Sequence, residues 1–213
     1  MSTHRVLTIE EVERALRAPL PGWAAQARMG TRPRSTPAEL GHIGPPRQGA
    51  VLILLYPYEG QLYFPLTRRT DRVANHKGQI SLPGGAQDPE DSSFWDTALR
   101  ETFEEIGVEP ARIRRIAALS VLYIPASHFE IYPFVGYVPA RPCFAPDATE
   151  VAEIIEFPLQ ALLDPSIKDE ETWSLHGRQT QVPFYRYGEH VIWGATAMVL
   201  SEFEVMLSAW AHA

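Results

Sequence analysis

Three glutamates, Glu101, Glu104 and Glu105, fall within five residues, and at spacings of three and four such side chains are neighbours on a helix. Like charges so placed repel by roughly 0.2–0.5 kcal/mol per pair, which weakens the helix unless a cation offsets them. Oxygen donors suit hard divalent cations, magnesium or manganese, and magnesium keeps waters that can be activated for attack on a phosphate. Arg100, four residues before Glu104, is placed to orient it through an ion pair. An acidic helix face is more often plain solvated surface. Here, however, Gly78-Gln79-Ile80-Ser81-Leu82-Pro83-Gly84-Gly85 runs just upstream. The backbone of such a glycine-bearing loop can come close to the helix and offer carbonyl or amide groups to a metal and a phosphate.

The helix that must carry these groups is predicted over residues 94–106, with Ser93 and Asp96 as a capping box and Gly107 as its stop. At 100° per residue, Trp95, Ala98, Leu99, Thr102, Phe103 and Ile106 are assigned to its packing face and the three glutamates to the opposite one. Around it, the apolar run 51–56 reads as a buried strand that turns at Tyr58-Glu59-Gly60 into a second strand, 61–67. Short strands follow at 79–82, 116–123, 131–138 and 154–157, then a helical turn at 159–163, a hairpin around Gly177 and a helix over 194–210. Near the N-terminus, Thr8 and Glu11 mark a capped helix over 8–18, and Pro and Gly residues make 30–48 an extended connector. The order is mixed α/β (α+β) without a βαβ alternation.

Composition limits what the chain can recognise. A formal charge of -7 and a pI near 5.5 argue against a general affinity for nucleic acid or an anionic membrane. A phosphate-bearing small molecule must then be met locally, and Arg69, Arg72, His76 and Lys77 are concentrated just before the glycine loop. Cys143 has no partner for a disulfide or a Cys-based zinc cluster. The first fifteen residues hold no apolar run, so neither a signal nor a membrane span is expected and a cytoplasmic setting is the default.

Arg100-Glu101-Thr102-Phe103-Glu104-Glu105-Ile106-Gly107 resembles the second half of the Nudix box in full. Its first half departs, because Gly85 lies one residue farther from Arg100 than the general pattern has it, and Asp91 stands where a glutamate is expected. That departure resembles the coenzyme A pyrophosphatase branch, whose Gly-Gly-x-x-Asp-x-x-Asp loop corresponds to Gly84 through Asp88 to Asp91. The signature of that branch upstream resembles Leu66, Arg69, Thr70, Val73, His76, Gly78 to Ser81 and Pro83 to Gly85. Glu150-Val151-Ala152-Glu153 and Ile192-Trp193-Gly194-Ala195-Thr196-Ala197 are also similar. The resemblance covers roughly residues 47–205.

The resemblance implies a Nudix fold, a mixed-sheet α/β/α sandwich, over 47–213, with 1–46 as an N-terminal helix and connector. It implies a hydrolase that splits coenzyme A, or an acyl derivative, into adenosine 3′,5′-bisphosphate and 4′-phosphopantetheine with Mg2+ or Mn2+. Glu101 and Glu105 become the metal ligands, with Glu104 on a second ion or acting through water, and the carbonyl of Gly85 as a further contact. The general base is one of these glutamates or a carboxylate from a later loop, for which Glu150 is the candidate ahead of Glu130 and Glu153. Arg69 suits a 3′-phosphate, His76 is a phosphate donor or a loop anchor, and Gln79 and Ser81 shape the loop or touch substrate, with Gln79, Gly84 and Gly85 counted among the substrate-binding residues. Trp173, Phe184, Tyr185 and Trp193 read as core sooner than as rings that stack on adenine or line a pantetheine groove. Glu105→Gln is expected to stop turnover without unfolding a solvent-accessible site. Another nucleoside diphosphate-linked substrate, a non-catalytic sensor and a homodimer all remain open.

Overall fold

The computed structural model describes residues 6–34, 39–70, 78–175 and 177–211. Two short helices, α1 (Ile9–Ala15) and α2 (Trp23–Gln26), precede the strands β1 (Arg47–Tyr58), β2 (Gln61–Arg69), β3 (Ile80–Ser81) and β4 (Gly84–Ala86). After α3 (Phe94–Ile106) come β5 (Arg114–Ala118), β6 (Leu122–Ile124), β7 (Phe129–Tyr137) and β8 (Val151–Pro158). The chain ends through α4 (Leu159–Leu162), β9 (Lys168–Leu175), β10 (Arg178–Tyr187), β11 (His190–Trp193) and α5 (Gly194–Ala211).

The apolar run 51–56 lies in β1, where every residue from Ala50 to Tyr56 is buried except the half-buried Val51. Successive side chains leave a strand on opposite faces. Ala50, Leu52, Leu54 and Tyr56 therefore enter one core with α3, while Ile53 and Leu55 enter another with α1 and α5. A strand covered on both sides needs apolar residues at every position, which explains a continuous run in place of an alternating one. The result is the expected α/β/α sandwich over a mixed sheet of eight strands.

The two edges of β1 are used differently. One pairs in parallel with β7, from Arg47 opposite Phe129 to Leu55 opposite Tyr137. The other is split: its far half pairs with β2, and its near half with β4 at Gly49 to Val51. β2 continues the sheet to β3 and β8. This split edge brings the glycine strand up to the middle of the sheet, directly under α3.

Several local expectations change once the strands are assembled. The strand expected over 116–123 is two strands, because the peptide N–H and hydroxyl of Ser120 between them both donate to Glu202. The late hairpin gains a third strand through a second turn at Gly188, whose φ is 58°. On α3, Phe103 is 44% exposed and Glu105 only 4%. By the 100° rule Glu105 stands about 20° from the fully buried Ala98, so it belongs to the packing stripe, and Phe103 lies about 140° away on the outside. The three glutamates thus do not share a solvent face.

The Thr8 and Glu11 capping box of α1 is formed in both directions. The helices α1 and α2 dock on α5, where the buried Glu202 accepts from the Gly22 N–H at 3.0 Å, Gln26 Nε2 at 3.0 Å, the Ser120 N–H at 3.1 Å and Ser120 Oγ at 2.6 Å. A buried carboxylate is tolerable only with its lone pairs filled in this way. No helix among the described residues is long and apolar enough to cross a membrane. Glu202→Ala, which strands four donors, is expected to lower stability by about 2–4 kcal/mol. Denaturant unfolding checks this, and an unchanged midpoint would show that the clasp contributes nothing.

Candidate active site

The candidate site lies where the split edge of β1 meets α3. Local signals set the helix as the sequence suggests: Ser93 Oγ accepts from the Asp96 N–H at 3.2 Å, and Gly107, at φ 73°, ends it with its N–H on the Phe103 carbonyl. The cap differs in one respect, since the Asp96 carboxylate accepts a hydrogen bond from the Ser93 hydroxyl at 2.8 Å.

Two glycines are demanded by two different neighbours. A Cβ on Gly84 would lie 2.2 Å from the Ala50 carbonyl oxygen of β1, and one on Gly85 would lie 2.4 Å from the Glu101 carboxylate of α3. Only a strand without side chains can be threaded between sheet and helix there. The Gly84 N–H reaches Glu105 Oε2 at 3.4 Å. Both α3 carboxylates therefore face glycine backbone at close range.

Arg100 ties the loop to the helix. Its Nε and Nη2 hold the two oxygens of Asp91 at 3.0 Å each, Nη2 also donates to the Ala86 carbonyl at 3.0 Å, and Nη1 meets Glu101 and Glu104 at 2.9 Å each. This planar fork satisfies one carboxylate with two parallel bonds and still steers two others. The Arg100 guanidinium holds the Asp91 carboxyl down at about 2. Sequence reasoning paired Arg100 with Glu104 correctly but left Asp91, its main partner, as a mere departure from a pattern. The available signal was the Asp88 to Asp91 turn, which the structure closes with bonds of 3.0 Å.

A second scaffold brings in Glu150. The loop before β8 donates its Ala145 and Asp147 N–H groups to the Ile106 and Glu105 carbonyls at the end of α3. Thr70, just after β2, donates its N–H to the Glu150 carbonyl and its hydroxyl to the Thr149 carbonyl, each at 2.9 Å. Glu150 Oε2 then stands 3.6 Å from Arg69 Nη2. Glu153 is instead paired with Arg68 at 2.8 Å, and Glu130 accepts from Gln48 at 2.9 Å. Of the three later carboxylates, Glu150 is the one beside Arg69. Gln79 accepts the Arg69 N–H on its carbonyl at 3.0 Å, and the Ser81 hydroxyl meets that of Thr67 at 3.2 Å, so both shape the loop. Arg72, His76 and Lys77 lie outside the described residues.

Burial, with Glu101 and Glu150 adding to it, pushes the Glu105 carboxyl up to about 8, against the opposing pull of Arg69 and the Gly84 N–H. Burial likewise raises that of Glu101, opposed by Arg100. Arg69 Nε is buried with no hydrogen-bond partner. Among the described residues, no three acidic, His or Cys side chains already converge into a metal cage. The donor chemistry nevertheless fits a hard divalent cation: two desolvated carboxylates whose charged forms need an opposite charge, one of them packed into the place a side chain on Gly85 would take. Glu104, 55% exposed, sits on the outer rim.

A family model for the NUDIX domain matches residues 46–176. The chain belongs to the Nudix family. Proteins named as uncharacterized Nudix hydrolase NudL are similar to it. That of Photorhabdus laumondii is 36% identical over 64% of this chain and 73% of its own, and that of Pectobacterium atrosepticum 32% identical over 81% and 88%. The crystal structure of a MutT/nudix family protein from Enterococcus faecalis shares the fold, with a TM-score of 0.53 at 15% identity over 93% of this chain and 73% of that one. This Nudix protein is accordingly a hydrolase of pyrophosphate bonds, and members of the family use divalent metal ions, mainly Mg2+ or Mn2+.

Burial of Glu105 corrects the expectation of a solvent-accessible glutamate and gives metal-free stability a pH dependence. Between about 4.5 and about 8 the folded chain keeps a proton on Glu105 that the unfolded chain has lost, so stability falls as pH rises through that window. In chelator, thermal melts should show a steeper fall for the wild type than for Glu105→Gln; equal slopes would refute the assignment. Gly85→Ala should fold but displace Glu101, lowering turnover by at least about tenfold, as steady-state kinetics against circular dichroism would show.

Proposed function

We propose that this chain is a coenzyme A pyrophosphatase, which splits coenzyme A or an acyl derivative into adenosine 3′,5′-bisphosphate and 4′-phosphopantetheine. The observation that carries the reading is the grouping of Arg69, Glu150, Glu101, Glu105 and the Gly84-Gly85 backbone at one end of β2. Arg69, Thr70, Gln79, Ser81, Gly84 and Gly85 all belong to the upstream signature that resembles that branch.

Glu101 and Glu105 would hold Mg2+ or Mn2+ together with the Gly85 carbonyl, with Glu104 at the rim for a second ion or a bridging water. Such an ion would supply charge neutralisation at a diphosphate and a lowered pKa of bound water. Glu150 accepts the proton of the attacking water. The water oxygen bonds to one phosphorus, the bridging P–O bond breaks, and the leaving phosphate takes the electron pair. Arg69 offsets charge on the phosphate oxygens, and the unfilled donor at its Nε suits an anion. In coenzyme A the 3′-phosphate is a second anion that Arg69 suits. Arg100 acts by positioning, since its fork holds Glu101 while Asp91 and the Ala86 carbonyl hold Arg100.

The test is a panel of coenzyme A, dephospho-coenzyme A, dinucleotides, nucleotide sugars and nucleoside triphosphates with Mg2+ or Mn2+, with the masses of both products determined. Coenzyme A should be the best substrate, and Glu101→Gln should lose at least about a hundredfold in kcat. Preference for another member would move the chain to a different Nudix substrate. No cleavage of any would favour a ligand sensor.

A further inference from the structure

The Glu150 carboxylate is 48% exposed and lies 3.6 Å from Arg69 Nη2, beyond hydrogen-bond reach. Among the described residues no hydrogen bond to its side chain fixes it. Where such a carboxylate points is set by its own backbone, through the two soft dihedrals φ and ψ. We infer that Thr70 is a positioning residue that sets the direction of the Glu150 carboxylate, an inference that rests on the reading of Glu150 as the general base.

Two peptide planes flank the Glu150 Cα, and φ and ψ are rotations relative to them. The Thr149 carbonyl and the Glu150 N–H share the first plane, and the Glu150 carbonyl and the Val151 N–H share the second. Thr70 holds both planes by their carbonyls. Its hydroxyl donates to the Thr149 carbonyl and its N–H to the Glu150 carbonyl, each at 2.9 Å. The Asp147 carbonyl holds both planes by their other ends, accepting from the Glu150 N–H at 3.0 Å and the Val151 N–H at 2.8 Å. With both planes pinned at both ends, the direction in which the Glu150 side chain leaves the chain is fixed. Thr70 is itself buried, which limits competition from water for its two bonds.

This clamp depends on a register slip. β2 and β8 are antiparallel, with Arg68 opposite Glu153 but Arg69 opposite Val151, so Ala152 is the extra residue of a bulge. Without the slip Val151 would stand opposite Thr70, and Glu150 would lie one residue farther along. Bulges beside functional sites re-aim side chains in this way. The same turn is tied to α3, since the Asp147 N–H donates to the Glu105 carbonyl at 3.0 Å. Arg69, Glu105 and Glu150 therefore share one backbone framework. Any residue but proline supplies the N–H at position 70, whereas the hydroxyl requires serine or threonine.

Thr70→Val removes that hydroxyl and keeps the N–H. Thr149 is exposed, so its freed carbonyl is left to water and the chain should fold. Steady-state kinetics of the full chain are measured with coenzyme A and Mg2+, or with the pyrophosphate compound it cleaves fastest. Thr70→Val should lower kcat about tenfold, as misdirection of a reacting group does, and Thr70→Ser should restore it. KM should stay within about twofold of wild type, since substrate contacts are untouched. Glu150→Gln alone should lower kcat by about a hundredfold or more. Adding Thr70→Val to Glu150→Gln should cost nothing further, because a positioning residue has no effect once the group it positions is gone. Wild-type kcat in Thr70→Val overturns the inference, as do equal losses from Thr70→Val in the wild-type and Glu150→Gln backgrounds; both outcomes leave Glu150 as the base. Full turnover by Glu150→Gln sinks the general-base reading and the inference with it. Should Thr70→Val melt below the assay temperature, Asp147→Ala takes its place. The Asp147 carboxylate is exposed and accepts from the Thr149 N–H and hydroxyl at 2.9 Å each, and its loss should loosen the same turn with the same non-additivity. An additive loss there overturns the inference.

Discussion

Two carboxylates of α3 are pressed against a strand that has no side chains, and most of the molecule can be understood as the means of keeping them there. Left to solvent, Glu101 and Glu105 would repel weakly and be screened. Beneath Gly84 and Gly85 they lose water, and burial raises both carboxyl groups. The charged forms are then short of positive charge, which is the condition under which a divalent cation binds carboxylates strongly. The same contact explains why two glycines stand in sequence: the first is required by the sheet and the second by the carboxylate. The candidate metal ligands and a packing constraint meet in one place.

The cations around this cluster divide their work by geometry. Arg100 is spent within the scaffold, since its fork closes on Asp91 and the Ala86 carbonyl while Nη1 steers Glu101 and Glu104. Arg69 keeps one buried nitrogen without a partner and faces Glu150 and Glu105. In a chain of net charge -7, recognition of an anionic substrate cannot come from a diffuse field and must come from such single, positioned groups. Arg68, one residue earlier, is neutralised by Glu153 and borders another groove, lined by Trp173 and Trp193.

The far layer of the sandwich matters to the site through β1. Its Ile53 and Leu55 are held by α1 and α5, its Leu52 and Leu54 by α3. Glu202, with its four donors, anchors the N-terminal segment and the β5–β6 connection to α5. Both cores thus hold in place the central strand with which the glycine strand pairs.

Much of this was legible in the sequence because it is local. Ser93 and Gly107 bound α3 because caps act within a turn of the helix, the Glu101 and Glu105 spacing follows from helical period, and the unbroken apolar run of β1 announces a strand buried on both faces. The box and its upstream signature were enough to expect the family. Tertiary structure alone decided what depends on register between distant strands. It buried Glu105 and exposed Phe103, closed Arg100 on Asp91, set Glu150 and not Glu130 or Glu153 beside Arg69, and turned Trp173 and Trp193 from expected core into the wall of a groove. None of these follows from spacing, because each is set by which segment of the split edge of β1 lies opposite which residue, and a period along one chain carries no information about that.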